Sequence, residues 1–284
     1  MIVPSVTVII PNYNHEKYLK QRIESVLNQN YLDYEVIILD DNSSDGSKQI
    51  IEFYREHPKV SKIIYNKENS GSVFKQWVRG INLAKGKYIW IAESDDYADK
   101  NFLARTYEIL NSKKSLGLVF TDSFIINGMN EVSSKVSEKF IETGKLTSGV
   151  IYRKKNTLDY FLKSMLILNA SCVLFRKSDL TNIGLDELQK YNNTGDRYTY
   201  LSIALKKDIY YLCKPLNFMR LHKENTTKKN SRNGKIILDR LNILDDFIEE
   251  FKNFDKAYIL DYLNKNFFSA IQFNYYTELG SILK

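Results

Sequence analysis

The stretch that most constrains the fold is an apolar run ending in acids, at residues 88–97. Residues 88–92 are almost wholly apolar, and Glu93, Asp95 and Asp96 follow directly. Such a short run is typical of a buried strand in a parallel sheet. Open α/β sheets bind ligands at the carboxyl ends of their strands. We therefore expect these acids at the rim of a site, where a hard cation or substrate donors would stabilise adjacent carboxylates. The alternative is a solvated turn that caps the next helix.

Strand and helix patterns alternate along the first hundred residues. Strands are predicted at residues 6–10, 34–39, 60–65 and 88–92, and apolar residues at helical spacing follow each of them. This order predicts an α/β fold with a mostly parallel sheet, flanked by helices and joined by right-handed crossovers. Further along, we expect three more strands, at residues 116–120, 166–175 and 209–212. We also expect a long irregular excursion over residues 123–150 and a helix over residues 195–204 that begins at Gly195.

The C-terminal part reads as a helical extension. After a polar, basic stretch at residues 223–233, apolar residues fall at helical spacing, at Ile237, Leu241, Leu244, Ile248 and Phe251. We therefore expect one domain over residues 1–225 and a C-terminal helical appendage over residues 226–284. One apolar helical face needs a partner. That partner is either the first domain or a second copy of the chain, in which case the protein is a homo-oligomer.

Composition narrows the class of protein. The 284 residues are 43% hydrophobic and 26% charged, as in ordinary soluble domains. No apolar run approaches the roughly 20 residues that span a bilayer, and no signal peptide is visible. Two cysteines, Cys172 and Cys213, are too few for a disulfide framework, so we expect a cytoplasmic protein. The net charge of +7 favours an anionic partner, and basic and aromatic residues near the C-terminus would hold the protein peripherally at the inner face of the membrane.

Three motifs, in this order, resemble those of family 2 glycosyltransferases with the GT-A fold. They are VTVIIPNYN at residues 6–14, VIILDDNSSD at 36–45 and GKYIWIAESDD at 86–96. The resemblance runs from residue 3 to about residue 225 and is strongest over the first hundred residues. It implies inverting transfer of a hexosyl or N-acetylhexosaminyl group from a UDP-sugar. The acceptor would be a hydroxyl of a glycan or lipid-linked glycan in surface polysaccharide assembly, and nucleic acid is not an expected partner.

The resemblance also implies which residues bind the donor. The first loop would line the uridine site with Pro11, Asn12 and Tyr13. Asp41 would accept from the N3–H of uracil, and Asp95 would hold the ribose. Either Lys75 or Arg79, on the helix after the third strand, would face the diphosphate. For each of these two cations the alternative is a solvated side chain.

Three further residues would carry the metal and the chemistry. The resemblance assigns Asp96 as the ligand of a Mn²⁺ or Mg²⁺ ion that bridges the diphosphate, and His222 as a further ligand. A lone histidine is often structural, and that alternative stays open. Asp196 would be the general base that deprotonates the acceptor hydroxyl. The alternative for Asp196 is the N-cap of its helix, which its residue type also suits.

Two other classes of protein share some of these features. A phosphorylation-controlled receiver domain also has paired acids at a strand end, but it would need a phosphoacceptor Asp where residues 60–65 end in Asn66. An inactive module that binds nucleotide sugars or glycans on the same scaffold is the other alternative. The presence of Asp96 and Asp196 argues for an enzyme instead.

Overall fold

Strands and helices alternate along the chain as the sequence predicts. The computed structural model describes residues 3–138, 149, 151–152, 167–222, 235–247, 249, 260 and 263–264. Its strands are β1 (Val6–Asn12), β2 (Tyr34–Asp40), β3 (Val60–Tyr65), β4 (Tyr88–Ile91), β5 (Tyr97–Ala98), β6 (Leu116–Ile126), β7 (Val132–Lys135), β8 (Ile151–Tyr152), β9 (Val173–Arg176) and β10 (Asp208–Arg220). Its helices are α1 (Glu16–Leu27), α2 (Ser47–Phe53), α3 (Val73–Leu83), α4 (Phe102–Ser112), α5 (Lys177–Thr181), α6 (Leu185–Leu188), α7 (Gly195–Ala204) and α8 (Lys235–Asp246).

The described strands form one sheet. Their order is β3-β2-β1-β4-β9-β6-β10-β5, with β7 beside β6 and β8 beside β10. The strands β1, β2, β3 and β4 are parallel, and β6 is parallel to β10. Between these two groups, β9 is antiparallel to both β4 and β6. The predicted α/β fold, with a mostly parallel sheet flanked by helices, is confirmed.

Apolar clusters cover both faces of the sheet. All seven residues of β1 are buried, and successive side chains point to opposite faces. Val8 lies in the cluster that α1 and α4 complete with Ile23 and Phe102. Ile9 lies in the other cluster, which α3 completes with Trp77. This packing on two faces fixes the strand ends, and the functional loops extend from those ends.

The chain after Thr121 is more regular than we expected. The excursion over residues 123–150 was expected to have little structure, but β6 continues to Ile126 and forms an antiparallel hairpin with β7. Polar residues concealed this strand, because Asp122 is buried and satisfied internally. Its carboxylate accepts hydrogen bonds from the Ser137 amide at 3.0 Å and from the Ser137 hydroxyl at 2.6 Å.

The strand expected over residues 166–175 is shorter in the structure. Residues 170–172 form a turn of 3₁₀ helix, and β9 begins only at Val173. This turn places Asn169 and Ser171 next to the end of β4. The Ser171 hydroxyl accepts from the Glu93 amide at 3.1 Å, which ties the turn to the acidic motif.

The C-terminal helix α8 packs on the core of the domain. Ile243, Leu244 and Phe247 are buried in the same cluster as Ile9 of the central strand. Of the two partners expected for the apolar face of this helix, the structure shows the first domain. The expected contacts of Ile248 and Phe251 lie outside the described residues. Among the helices that the structure describes, none is both long and apolar enough to cross a membrane.

Candidate functional site

The loops after β1, β2 and β4 meet at one edge of the sheet. Asn12 at the end of β1 is the register partner of Asp40 at the end of β2, and its Nδ2 donates to Asp40 Oδ2 over 2.8 Å. The strand β4 pairs with the other side of β1, so the acids after β4 lie at the same edge. The end of β10 joins them, because the Arg220 amide donates to Asp96 Oδ1 over 2.8 Å. Four loops therefore build one polar rim.

Two imidazoles and one carboxylate converge on this rim. The Nε2 of His222 lies 3.0 Å from Oδ2 of Asp95. His15 follows the loop after β1, and its Nδ1 lies 2.8 Å from the Ser94 hydroxyl. One potential ligand atom from each of His15, Asp95 and His222 lies within 4.8 Å of the other two. We name these three residues the His-Asp-His cluster, and its geometry suits a single cation.

Asp95 is the acid of this cluster, and its surroundings favour the ionised form. Burial by itself would raise the pKa of Asp95, but the hydrogen bond with His222 and the charges of both imidazoles outweigh it and lower that pKa. The Asp95 side chain is 13% exposed, so an ion at the rim can reach it. One carboxylate and two imidazoles form a donor set that first-row transition metals accept.

Asp96, the expected metal ligand, lies deeper than Asp95. It is only 2% exposed, and both of its oxygens accept hydrogen bonds from the protein. Oδ1 accepts from the Arg220 amide at 2.8 Å, and Oδ2 accepts from Asn169 Nδ2 at 2.7 Å. Burial, together with the charge of Asp95, raises the pKa of Asp96 to about 6. In this geometry Asp96 fastens β10 to the acidic motif.

Two buried arginines support the motif from the interior. Arg22 of α1 is fully buried, and its Nε donates to the Glu93 carbonyl over 2.7 Å. Burial lowers the pKa of Arg22 to about 10, and the nearby acids Asp96, Asp95 and Glu93 oppose that shift. Arg220 is 1% exposed, and its Nε donates to the Asp95 carbonyl over 2.7 Å. The backbone of the motif is therefore fixed before any ligand arrives.

Asp41 is held by donors from the segment that follows β3. Its Oδ1 accepts from the Ser70 amide at 3.0 Å and from Gln76 Nε2 at 2.8 Å, and Asn66 Nδ2 also donates to it. Its Oδ2 accepts from the Ser70 hydroxyl at 2.8 Å and from Asn69 Nδ2 at 3.2 Å. We expected Asp41 to bind the uracil ring. In the structure its carboxylate organises residues 66–76 beside the expected uridine loop.

The first loop offers groups that suit a nucleobase. Tyr13 is 47% exposed, and Pro11 is buried beneath it at the strand end. Asn12 is buried, and its Oδ1 accepts no hydrogen bond from the residues that the structure describes. Asn14 and Asn42 adopt the left-handed conformation, with φ of 53° and 63°. Asparagine tolerates this region better than most residues do, which allows both loops to turn sharply.

Lys75 and Arg79 both extend from α3 toward the segment that Asp41 organises. Lys75 Nζ donates to the Ser70 carbonyl over 2.9 Å, and Arg79 Nη1 donates to Asn66 Oδ1. Both residues are exposed. Each is therefore close to the rim, and both remain candidates for a diphosphate.

Asp196 lies in the first turn of α7, beyond the N-cap position that Thr194 occupies. Its Oδ1 accepts from the Arg197 amide at 2.7 Å, whereas Oδ2 accepts no hydrogen bond from the described residues. Burial raises the pKa of Asp196 to about 6. A β-carbon on Gly195 would lie 2.8 Å from the Phe74 ring, so glycine lets α7 begin against α3. Asp196 is thus a partly buried carboxylate with one free oxygen, and not a cap.

Asp196 and the acidic motif share one electrostatic environment. Burial and the charges of Asp95, Asp96 and Asp196 together raise the pKa of Glu93 well above its usual range. Asp196 therefore lies near enough to the acidic motif for its charge to act on Glu93.

Sequence reasoning missed His15 and Arg22. His15 is not among the predicted site residues, although its position directly after the Asn12–Asn14 loop places it on the rim. Arg22 lies between Leu19 and Ile23 on the apolar face of α1. A charged residue at such a position is rarely buried without a partner, and that was the available signal.

Comparison with known proteins agrees with this geometry. The family model described as "Glycosyl transferase family 2" matches residues 7–184. The chondroitin synthase of Escherichia coli is 34% identical over 151 residues, which cover 52% of this chain and 22% of the synthase. The poly(ribitol-phosphate) beta-N-acetylglucosaminyltransferase TarS of Staphylococcus aureus is 31% identical over 158 residues, covering 54% of this chain and 27% of TarS. The chain thus spans about a quarter of the length of these two relatives.

Solved structures show the same fold. A structure of S. aureus TarS 1-349 in complex with UDP-GlcNAc superposes with a TM-score of 0.64 at 19% identity, covering 93% of this chain and 81% of that one. The mannosyltransferase PcManGT of Pyrobaculum calidifontis, in complex with GDP-Man and Mn²⁺, has a TM-score of 0.60 at 16% identity, covering 99% and 74%. These likenesses exclude the receiver domain. Since the family model matches residues 7–184 of the 284, this protein belongs to glycosyl transferase family 2 and has the GT-A fold.

Proposed function

We propose that the protein is a metal-dependent, inverting glycosyltransferase that moves a sugar from a UDP-sugar to a hydroxyl of a surface polysaccharide or other glycan. The observation that carries the proposal is the His-Asp-His cluster beside the exposed Tyr13 loop, with the charge of Asp196 acting on the same acidic motif. These three features supply a cation site, a nucleobase surface and a proton acceptor. Metal-dependent, inverting transfer from a nucleotide sugar uses all three.

The donor half of the proposal rests on the loops after β1 and β2. The exposed Tyr13 ring would stack on the base, and Asp41 would shape this pocket through the residues it holds. Ser94 and Pro11 line the same rim. Uridine is supported by the TarS complex with UDP-GlcNAc, whereas PcManGT was solved with GDP-Man, so the two bases need a direct comparison.

The metal fits the His-Asp-His cluster better than it fits Asp96. Asp96 has no oxygen free of internal hydrogen bonds, whereas Asp95 is partly exposed between two imidazoles. We therefore assign the cation to Asp95, His222 and His15. Two imidazoles favour Mn²⁺ over Mg²⁺, because Mg²⁺ prefers oxygen ligands. Such an ion, when bound, neutralises the charge that builds on the departing diphosphate.

Lys75 or Arg79 would add positive charge at the same diphosphate. Both lie on α3 at the edge of the rim, each donating one hydrogen bond to residues 66–70. A cation near the leaving group stabilises the charge that develops in the transition state. The two residues differ in geometry, since an arginine can bind phosphate with two parallel hydrogen bonds.

Asp196 is the proposed general base. Its pKa of about 6 leaves it mostly ionised at pH 7, and Oδ2 is free to accept a proton. As the acceptor oxygen bonds to the anomeric carbon, the bond from that carbon to the UDP oxygen breaks. The acceptor proton passes to Asp196, and UDP leaves with the electron pair. Attack opposite the leaving group inverts the anomeric configuration.

A donor screen tests the proposal directly. Release of UDP or GDP would be measured for a panel of UDP-sugars and for GDP-mannose, with Mn²⁺ and with EDTA. We expect UDP release from one or a few UDP-sugars, in Mn²⁺ only, and faster when an acceptor glycan is added. Binding of UDP-sugars without any transfer would indicate an inactive module instead. Release of GDP alone would show that the assignment of uridine is wrong.

A further inference from the structure

Asp239 of helix α8 binds the loop that carries the proposed base. Asp239 is 3% exposed, and one of its oxygens, Oδ2, accepts three consecutive backbone amides. The distances are 2.9 Å from Asn192, 2.6 Å from Asn193 and 3.1 Å from Thr194. Asp239 lies 45 to 47 positions after these three residues in the chain. We name Asp239 and these three amides the Asp239 clamp.

The clamp acts on Asn192, Asn193 and Thr194, the three residues directly before α7. Thr194 is the N-cap residue of α7, and Asp196 lies two positions further on. Hydrogen bonds from backbone amides to a carboxylate are stronger than neutral ones. The side chain of Asp239 therefore limits how far the start of α7 can move. Gly195 restrains the same point from the other side, where it packs against the Phe74 ring.

We propose that Asp239 is a positioning residue for the transfer reaction, holding the 192–194 loop so that the Asp196 carboxylate faces the acceptor hydroxyl. This inference rests on the proposed function of Asp196. It assigns a role in catalysis to the C-terminal helix, which contributes no residue to the donor side of the site. Asp239 binds the backbone of this loop, and its proposed effect on the base passes through the loop.

The charge of Asp239 also reaches Asp196. The charged groups that act on Asp196 are Arg197 on its own helix, Asp239 on α8 and Glu93 after β4. The effect of burial on the pKa of Asp196 is the largest, and the negative charge of Asp239 adds to it in the same direction. Loss of that charge would lower the pKa of Asp196. A role in packing alone predicts no such change.

The test compares Asp239→Asn with Asp245→Asn in the full-length protein. Asp245 is an exposed residue of the same helix, so its variant removes the same charge without touching the loop. We expect kcat of Asp239→Asn to fall by roughly 10 to 10²-fold, the range that misplacement of a catalytic group costs. We also expect unchanged affinity for UDP and KM for the donor, and a pH–rate profile whose acid limb moves to lower pH. Asp245→Asn should match the wild type in all four.

If Asp239→Asn does not fold, two further experiments test the proposal. One uses the Asp239→Glu variant, and the other measures hydrogen exchange in the unmodified protein. The glutamate retains the charge, so the acid limb should stay at its wild-type position while kcat falls. In the unmodified protein, the amides of residues 192–194 should exchange slowly, whether or not the proposed reaction is correct. Fast exchange at these amides overturns the clamp. Equal kcat for Asp239→Asn and Asp245→Asn, in a wild type that does transfer sugar, overturns the positioning role and leaves the proposed function standing.

Discussion

The Nε2 of His222 lies 3.0 Å from the Oδ2 of Asp95, although 127 positions separate the two residues in the chain. Neighbouring contacts hold this pair in place. Arg220 donates its amide to Asp96 and its Nε to the Asp95 carbonyl, so the end of β10 is fixed to the loop after β4. The two adjacent acids therefore have different surroundings. Asp96 accepts hydrogen bonds from the protein, whereas Asp95 is partly exposed at the rim.

This difference predicts that Asp95, and not Asp96, supports binding of the metal. Asp95→Asn and His222→Ala should each lose most of the extra UDP affinity that Mn²⁺ provides, because each removes one of three ligands. His15→Ala should lose part of it, since His15 completes the cluster. Calorimetry with UDP, in Mn²⁺ and in EDTA, measures the difference.

The control for the histidines is His57→Ala. His57 lies far along the chain from the cluster, after α2, and its ring nitrogen accepts from the Lys59 amide. This variant should keep the full effect of Mn²⁺. If UDP binds the wild type equally well in EDTA and in Mn²⁺, the assignment of a metal to the cluster is wrong.

Asp96 should matter for folding instead. Asp96→Ala leaves the buried Arg22 guanidinium without the acid that lies 3.9 Å away, and it removes the acceptor of the Arg220 amide. Breaking a buried charged pair typically costs about 3–5 kcal/mol of stability. Asp95 is partly exposed, and its side chain pairs with His222. Asp95→Ala should therefore cost only about 1 kcal/mol of stability. Urea unfolding without metal compares the two, and similar losses would contradict the separate roles.

Helix α8 provides a second test of stability. Leu244 is buried in the core cluster, whereas Leu238 on the same helix is 36% exposed. Leu244→Ala should lower the free energy of unfolding by about 2–4 kcal/mol. Leu238→Ala should lower it by about 0.5 kcal/mol, as at other surface positions. Chemical denaturation of both variants measures these values. A small loss at Leu244 would show that α8 does not pack tightly on the core.

The sequence predicted the central fold well because its signals there are local. Apolar runs such as residues 34–39 are long enough, and sharply enough bounded by polar loops, to identify buried strands. Asp122 and Ser123 broke that pattern, since Ser137, fifteen positions away, satisfies the Asp122 carboxylate, and the Ser123 hydroxyl accepts from Asn217, 94 positions away. Local pattern cannot reveal a partner at that distance.

The site shows the same limit. The three motifs placed the rim correctly, but they did not show which oxygen faces solvent. The choice between Asp95 and Asp96 depends on Asn169 and Arg220, which lie 73 and 124 positions from Asp96. Likewise, Asp239 acts on a loop 45 positions or more before it. Contacts between such distant residues require the folded chain.

The last prediction concerns Asp196 and pH. Asp196→Asn keeps the size of the side chain but cannot take a proton, so kcat should fall by roughly 10²–10⁴-fold, the usual contribution of a general base. UDP affinity in Mn²⁺ should not change. Because burial raises the pKa of Asp196 to about 6, the base is ionised above that pH and protonated below it. The wild-type rate should therefore be constant above about pH 7 and fall about tenfold per unit below pH 6. The residual rate of Asp196→Asn should lack the part of this acid limb that titration of Asp196 causes. A variant that keeps near-normal transfer would place the base elsewhere.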